Sequence, residues 1–387
     1  MYIFFVVCGK KIIKARQYIY KMKVSSIFFF VGSLFTVAST STKTTTTTST
    51  GIVKFSKNDE AEQWELFYDF QERFSKKYDN VREVEERFQI FKTNVLDIIE
   101  HNLKSNETYT KGINQFTDLS ADEFKEQYGR GVGDVSPLRT QIGSTTCSSF
   151  SGSGAKNAPA TVDWRSENAV TPVKDQGQCG SCWSFSASGA MEGAWALSKG
   201  QLVSMSEQEL VDCAGLKYGS MGCNGGLMEG AFNFAIDKGI CAEASYAYTS
   251  GVSQTGGTCR SCASVATFSE CFDVKPNDQV ALKEAVSMRP VAIAIEADTR
   301  YFQSYSSGIL TSATCGTTLD HGVLIVGYGE ENGQKYWLVK NSWGTTWGDD
   351  GYVKIARSES TSDGGICGIA MQPSFISAEN LGSPHLS

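Results

Sequence analysis

The sequence predicts an α+β protein, in which a helical N-terminal part precedes a body of two halves with a cleft between them. Three observations support this class. Apolar residues recur at helical spacing within residues 58–128, residues 184–197 again have helical character, and the C-terminal third contains apolar runs of strand length. Helices followed by strands are typical of an α+β body rather than of alternating α/β units.

Two stripes of side chains define the N-terminal helices. The first is aromatic, with spacings of three and four residues, and consists of Trp64, Phe67, Phe70, Phe74 and Tyr78. The second lies on one face of the next helix and consists of Glu83, Arg87, Phe91, Asn94, Ile98 and Asn102. Periodicity alone predicts an amphipathic helical hairpin, followed by a turn at residues 112–118 that leads into a short strand.

The body begins at residue 158, where the composition changes to that of a compact domain. Its predicted strands are residues 291–297, 322–328, 335–340 and 352–356. Asn332-Gly333 predicts a tight hairpin between the second and third of these strands. A helical first half and a stranded second half would leave a cleft between them.

Charge and cysteine content restrict the class of function and the compartment. The 387 residues carry a net charge of −7, and residues 158–387 alone carry −10, which argues against a nucleic-acid partner. Twelve cysteines suit an oxidising compartment. The basic start Met22-Lys23 and the apolar residues 27–38 predict a secretory signal within residues 1–39, with translation from Met22. This run is too short for a stable membrane span, although a signal anchor is an alternative.

Further boundaries follow from composition. Residues 40–50 are a Thr/Ser-rich spacer, flexible or O-glycosylated, and residues 55–128 are the helical region. Residues 129–157 are rich in Gly, Ser and Thr and are interpreted as an exposed linker open to proteolysis. The body covers residues 158–376, and residues 377–387 form a polar tail.

Cys182 and His321 are the most informative pair. Of three histidines, only His321 precedes a regular apolar run, whereas His101 and His385 lie in a charged helix and at the C-terminus. Cys182 follows Gly180-Ser181 and begins a predicted helix, whose N-terminal N–H groups favour a thiolate. A His321 imidazolium would lower the thiol pKa further and give a resting ion pair.

Other interpretations of these cysteines remain open at this point. Cys179-Gly180-Ser181-Cys182 before a helix also fits a thiol–disulfide oxidoreductase. A zinc site would need Cys259 and Cys262 as additional ligands, and no cysteine/histidine cluster has the usual ligand spacing. A binding protein that has kept an enzyme fold without activity is a third alternative.

Several ordered motifs decide between them. The segments 176–186, 222–226, 320–322 and 341–348 together resemble the papain family of cysteine proteases, across residues 158–376. The resemblance implies that Cys182 is the nucleophile and His321 the general base and acid. It also implies that Asn341 orients the imidazole, that Gln176 and the Cys182 N–H bind the oxyanion, and that Trp343 shields the histidine.

The same resemblance implies the substrate cleft. Gly225 and Gly226 would offer a backbone edge to an extended peptide. An apolar pocket would accept Leu, Val or Phe two positions before the cut, with Gln372 at its polar end. The implied substrate-binding residues are Gly225, Gly226, Leu227, Met228, Ala294, Leu319, Asp320, Trp343, Trp347 and Gln372.

The helical N-terminal region resembles a cathepsin-L-like propeptide. Its second stripe matches the ERFNIN pattern at every position, and Gly112, Asn114, Phe116 and Asp118 match the GNFD pattern. The resemblance implies a latent endopeptidase whose propeptide acts as an intramolecular inhibitor and is removed at acidic pH. The carboxylates Glu83, Glu85 and Glu86 are candidate acid sensors, and Asp118 is the single residue chosen for a test. Cleavage is expected between residues 151 and 160. Asn106-Glu107-Thr108 is a glycosylation acceptor.

Partners, cofactors and disulfides follow. We expect a monomer that acts on polypeptides, needs no cofactor or metal and can be bound by cystatin-like inhibitors. We expect it in a lysosome or acidic vacuole, or outside the cell.

The resemblance implies the disulfides Cys179–Cys223, Cys213–Cys259 and Cys315–Cys367. Cys241–Cys262 is the preferred extra bridge, which leaves Cys271 free and Cys147 in the linker.

Overall fold

The computed structural model describes residues 44–48, 51–55, 59–104, 106–129, 131–132, 147–154, 158–311 and 315–379. Residues 59–129 are called the helical region and residues 158–379 the C-terminal body. The predicted signal region, residues 1–39, and the part of the predicted tail beyond residue 379 lie outside the described residues. Among those described, no helix is long and apolar enough to cross a membrane.

The helices are α1 (Glu60–Arg73), α2 (Val81–Asn102), α3 (Ala121–Tyr128), α4 (Cys182–Lys199), α5 (Glu207–Cys213), α6 (Met228–Lys238), α7 (Ser250–Ser253), α8 (Gln279–Met288) and α9 (Arg300–Gln303). The strands are β1 (Thr44–Thr48), β2 (Gly51–Phe55), β3 (Tyr109–Lys111), β4 (Ser148–Phe150), β5 (Val162–Asp163), β6 (Ile240–Cys241), β7 (Ser264–Ala266), β8 (Glu270–Val274), β9 (Val291–Ile295), β10 (Tyr305–Leu310), β11 (His321–Glu331), β12 (Gln334–Lys340), β13 (Tyr352–Ala356) and β14 (Ser374–Ser377).

An aromatic core holds α1 and α2 together, as the first stripe predicts. Phe67 and Phe70 are buried against Phe88 and Phe91 of α2, and Trp64 stacks on Phe88 with ring centroids 3.6 Å apart. The side chain of Asp59 caps α1 by accepting a hydrogen bond from Ala61 N (3.1 Å). Burying these rings supplies the free energy that holds the hairpin together.

The second stripe binds the chain that returns along α2. Asn94 Nδ2 donates to the carbonyls of Thr117 and Leu119, both at 2.9 Å, and Asn102 makes a two-way pair with the backbone of Lys111. Arg87 donates to Glu123 at 2.8 Å. Strand β3 therefore precedes the turn at residues 112–118. The predicted order, with a strand after the turn, is wrong, because Asn102 fixes the extended chain at residue 111.

One mixed sheet of ten strands forms the stranded half. Its order is β3-β10-β13-β12-β11-β9-β14-β8-β4, with β5 on β11. Asn332 and Gly333 both have positive φ (52° and 78°) and join β11 to β12 as an antiparallel hairpin, as predicted. The α+β class is confirmed by this sheet together with the helical half.

Helix α4 is the link between the halves. It packs against β11, and a Cβ on Gly189 would come within 2.7 Å of the Leu324 side chain, so glycine permits the close approach. Gly200, with φ of 69°, ends α4. This packing brings the first residue of α4 to the first residues of β11.

Two short strands differ from the predicted segments. Thr44–Thr48 pairs antiparallel with Gly51–Phe55, where a flexible spacer is expected, since β-branched threonine favours strands. Ser148–Phe150, inside the predicted linker, pairs in parallel with β8.

Candidate active site

The Cys182 thiol lies at the N-terminus of α4, fully buried. Gly322 N donates a hydrogen bond to its Sγ across 3.0 Å. The preceding residue, Ser181, makes no side-chain cap, which leaves the first N–H groups of the helix available to the thiol. Among the described residues Cys182 is the only free cysteine.

His321 begins β11, and Asn341 directly follows β12. The His321 Nε2 lies 2.7 Å from Asn341 Oδ1, which also accepts from Ser342 N at 2.8 Å. An amide oxygen only accepts, so the imidazole carries its proton on Nε2. Within the described chain, His321 Nδ1 has no hydrogen-bond partner, and it therefore keeps a free lone pair.

Trp343 covers this histidine. Its ring stacks on the imidazole with centroids 4.6 Å apart and planes inclined by 27°. Trp347 lies edge-to-face behind Trp343 and donates its Nε1–H to Phe302 O at 3.0 Å. Trp347 is completely buried in this covered form, as Cys182 and His321 are, and its ring supports Trp343. Its substrate contact stays a prediction.

Gln176 is buried next to the same strand end. Its Oε1 accepts from Ser342 Oγ at 2.7 Å, and its Nε2 donates to Cys179 O at 2.9 Å. The first contact fixes the amide orientation, and a primary amide retains a second N–H donor. The structure thus brings Gln176, Cys182, His321 and Asn341 into one locality.

Residues Gly131 and Val132 run through the cleft above the thiol. Gly226 N donates to Gly131 O at 3.3 Å, and Val132 N donates to Asp320 O at 3.0 Å. A Cβ on Gly131 would overlap the Cys182 Sγ, so only glycine fits here. The chain leaving the helical region therefore occupies the place of a substrate backbone and excludes one.

Burial under this segment controls the electrostatics. Burial raises the pKa of the Cys182 thiol to about 12, although the hydrogen bond from Gly322 N favours a lower pKa. Burial also lowers the pKa of His321 to about 4, although its bond to Asn341 works in the opposite direction. Both shifts favour the uncharged forms of the thiol and the imidazole while the segment covers them. The resting ion pair stays a prediction for the uncovered enzyme.

The residues of the predicted apolar pocket lie in or near one buried cluster, and the pocket itself stays a prediction. Met228 and Ala294 are buried in the cluster that includes Val132, and Leu319 packs against it. Leu227 is buried but lies outside this cluster. Gln372 Nε2 donates to Glu229 Oε1 at 3.3 Å. The sequence analysis does not include Glu229 among the pocket residues, although Glu229 directly follows Met228, which it does include.

The helical region docks on the tryptophan beside the site. Phe116, Phe124 and Tyr128 each pack on Trp343 with centroids 5.4–5.6 Å apart. Gln115 Nε2 donates to Trp343 O at 2.6 Å. These contacts position the Gly131–Val132 segment over Cys182.

Five disulfides bear on the alternative interpretations. They are Cys147–Cys271, Cys179–Cys223, Cys213–Cys259, Cys241–Cys262 and Cys315–Cys367. Cys179 is bonded to Cys223 and not to Cys182, so the CxxC segment does not form a redox-active dithiol. Cys259 and Cys262 are also in disulfides, so their sulfurs are not available as zinc ligands. The expectation of a free Cys271 is wrong, because β4 brings Cys147 beside it. Such a set is typical of the secretory pathway.

Comparison with known proteins agrees with this arrangement. Residues 158–377 match the model of the papain family cysteine proteases, and residues 67–124 match the cathepsin propeptide inhibitor domain. Germination-specific cysteine protease 1 of Arabidopsis thaliana is 44% identical over 301 residues, which is 76% of this chain and 78% of that protein. Cysteine endopeptidase Rep1 of Oryza sativa subsp. japonica is 41% identical over 333 residues, covering 84% and 87%.

Solved structures give the same result. Digestive procathepsin L 3 from the larval midgut of Tenebrio molitor has a TM-score of 0.73 and 42% identity, covering 81% of this chain and 99% of that one. The ragweed pollen allergen Amb a 11, in its proform, has a TM-score of 0.74 and 38% identity, covering 83% and 96%. The fold and the site thus define a cysteine peptidase held latent by its own N-terminal segment. This chain belongs to the papain family, as a proenzyme with an I29-type inhibitory propeptide.

Proposed function

We propose that the chain is an endopeptidase in which Cys182, His321, Asn341 and Gln176 carry out peptide hydrolysis. The observation that carries the proposal is the meeting of the α4 N-terminus with the start of β11, marked by the bond from Gly322 N to Cys182 Sγ. This meeting of the two elements supports proton exchange between the Cys182 thiol and the free Nδ1 of His321, because it places both residues at the same point of the fold. Removal of the covering segment readmits water, so that a thiolate–imidazolium pair can form.

Hydrolysis then proceeds in two halves. The Cys182 thiolate attacks the scissile carbonyl carbon, the oxyanion is bound by the Cys182 N–H and the Gln176 amide, and His321 protonates the leaving amine. A thioester acyl-enzyme remains. Water, deprotonated by His321, attacks the thioester and releases the carboxylic acid and the thiolate. Asn341 is a positioning residue, because it holds Nε2–H and so directs Nδ1.

A burst experiment tests this function. Processed enzyme is mixed rapidly with a peptide p-nitrophenyl ester, whose acylation is faster than deacylation. A burst of nitrophenol equal to the enzyme concentration is expected before steady turnover. Linear release without any burst, at saturating ester, would oppose a covalent intermediate.

Latency and acid activation concern the docked propeptide. Glu85 and Glu86 are exposed on α2, and Glu86 pairs with Arg82 of the same helix at 2.9 Å, so these expected acid sensors lie away from the dock. Glu123 is better placed, since it binds Arg87 and receives the Ser120 N–H at 2.8 Å. Burial raises the pKa of Glu123, but the bonds to Arg87 and Ser120 outweigh burial and hold this pKa below the usual range of a glutamate.

The sign of the pH effect follows from linkage. A carboxylate with a depressed pKa in the folded helical region stabilises that fold above its free pKa, and this contribution disappears as pH falls through the folded-state pKa. Its loss weakens the fold that docks on the peptidase. We therefore expect processing of the precursor to accelerate below about pH 4.5, with cleavage between residues 151 and 160.

The Glu123→Gln precursor should process faster than wild type at pH 6, and its rate should depend less on pH, because the Arg87 pair is already lost. Processing is followed by gel densitometry across pH 3.5–7. Asp122→Asn is the control, since it makes the same charge change on an exposed neighbour in the same helical turn. Identical pH profiles for Glu123→Gln and wild type would exclude Glu123 as a sensor.

Substrate preference depends on the pocket beside Val132. Met228, Ala294 and Leu319 offer apolar walls, so Leu or Phe two positions before the cut should be preferred over Arg. Gln372 ends the pocket and is held by Glu229. The neighbouring carboxylate also means that a second acid at position 372 would have a raised pKa, from like-charge repulsion.

Gln372→Glu should raise the Arg/Phe ratio of kcat/KM by roughly tenfold or more, because a charge-assisted hydrogen bond contributes about 1.5–3 kcal/mol. The ratio should grow with pH as the new carboxylate ionises. Gln372→Met is the matched control and should leave the ratio unchanged or lower it. Equal ratios in Gln372→Glu and wild type would show that residue 372 does not face the pocket.

The compartment and the partners complete the proposal. An acid-triggered protease of the secretory pathway suits a lysosome or acidic vacuole, or release from the cell. Polypeptides are the substrates, the active form is a monomer, and cystatin-like proteins could enter the same cleft.

A further inference from the structure

The chain directly before the family-matched domain is built into its sheet. Strand β4 lies at the end of the sheet and pairs in parallel with β8, placing Ser148 opposite Phe272 and Phe150 opposite Val274. Phe150 O accepts from Lys275 N at 2.8 Å. Ser153 bonds to the Glu284 carboxylate through its N (2.7 Å) and its Oγ (2.9 Å). The segment thus has hydrogen bonds to β8, to the residue after it and to α8.

Burial and a covalent bond add to these contacts. Phe150 is buried and packs edge-to-face on Phe375 of β14 at 5.3 Å. Cys147 is joined to the buried Cys271 of β8, with the Cα atoms 4.6 Å apart. The strand pairing, the hydrogen bonds, the ring contact and the disulfide given above all join residues 147–154 to the C-terminal body. Structurally, the segment belongs to the peptidase.

We propose that residues 147–154 are a permanent edge strand of the mature peptidase, retained through the Cys147–Cys271 disulfide whichever peptide bond is cut around them. The proposal rests on conversion of the proenzyme by propeptide removal. Without this strand, β8 would present unpaired N–H and C=O groups, together with the aromatic surface that Phe150 covers. Such an open edge is prone to pairing with other chains.

The disulfide also makes the position of the cut decisive for inhibition. A cut before Cys147 separates the helical region from the peptidase. A cut after Cys147, which includes the cut expected between residues 151 and 160, leaves the helical region tethered through Cys271. A tether keeps an inhibitor at high effective concentration. Its release then needs a thiol reductant: two reductant thiols become a disulfide, and Cys147 and Cys271 become thiols.

Mass spectrometry under non-reducing conditions tests retention. Precursor prepared without reductant is processed at acidic pH, or cut with pepsin where it does not process itself, then alkylated with iodoacetamide and denatured. Every peptidase molecule should carry residues 147–154, in its own chain or as a peptide linked to Cys271. Peptidase that begins after residue 154 and has no peptide on Cys271 would overturn the proposal. Hydrolysis, measured on the same sample, tests the proposed function separately.

A double variant assigns the retention to the bond. In Cys147→Ser/Cys271→Ser, cuts after residue 147 should release the segment on denaturation, and Tm of the mature form should fall by about 5 °C or more. Cys213→Ser/Cys259→Ser is the matched control, because it removes a bridge within the body and should keep the segment. If either double variant does not fold, thiol reduction of processed wild-type enzyme replaces it, and the segment should then be lost. Where a cut has separated the segment from the body, its retention under denaturing conditions after loss of the bond would contradict the proposal.

Discussion

The Cys182→Ala precursor is expected to fold, to keep its helical region attached and to hydrolyse no peptide. Activity should fall by roughly six orders of magnitude, as for loss of a nucleophile in other hydrolases with cooperating residues. The reason is local: Cys182 is the only free cysteine among the described residues, and it alone combines a helix N-terminus with the nearby histidine. The measurement is hydrolysis of a fluorogenic peptide by acid-treated protein.

Ser184→Ala serves as the control for this change. Ser184 is a buried residue of the same helix, whose hydroxyl donates only to Ser181 O at 2.8 Å. Its loss should leave most of the activity. Adding active wild-type enzyme to Cys182→Ala should still cut the precursor, which shows that the variant is folded and cleavable. Turnover by Cys182→Ala itself would place the nucleophile elsewhere.

His321→Ala should be nearly as damaging as Cys182→Ala, with a loss of roughly four to six orders of magnitude in kcat. The imidazole has two functions in the mechanism, since it accepts the thiol proton and then protonates the leaving amine. Asn341→Ala should cost less, because Asn341 binds Nε2–H at 2.7 Å and does not react itself. The measurement is kcat and KM for one peptide with all three proteins.

The pH profile separates an orienting role for Asn341 from a structural one. Asn341→Asp would place a carboxylate at Nε2, raise the pKa of His321 and shift the limbs of the kcat/KM profile to higher pH. A structural defect would lower activity without moving these limbs. An unshifted profile for Asn341→Asp would remove Asn341 from the mechanism.

Much of the site could be predicted from sequence, because its residues lie in short ordered motifs. Only one of the three histidines, His321, lies in regular sequence, so it can be paired with Cys182. The hairpin at Asn332-Gly333 is predictable because both residue types adopt positive φ readily. The second stripe predicted one face of α2. The sequence does not show what this face contacts. The structure shows that it binds the backbone of residues 111–119.

Other features depend on long-range packing that no local pattern encodes. The Cys147–Cys271 bond joins residues 124 positions apart, and connectivity is not readable from spacing. The contact between Glu229 and Gln372 likewise joins α6 to a distant segment. Burial raises the pKa of the Cys182 thiol and lowers the pKa of His321. Gly131, which lies against Cys182, contributes to this burial, and no sequence motif encodes that contact.

Covalent labelling of the thiol tests most directly the claim that Cys182 is a reactive nucleophile kept latent by the propeptide. Precursor at neutral pH and acid-processed enzyme are each treated with a peptidyl epoxide, the processed enzyme after thiol reduction has released any tethered helical region, and the modified residue is mapped by mass spectrometry. Cys182 should be labelled stoichiometrically after processing and remain unlabelled in the precursor, since Gly131 occupies the space above its Sγ. Labelling of another residue, or equal labelling of Cys182 in the intact precursor, would contradict the account.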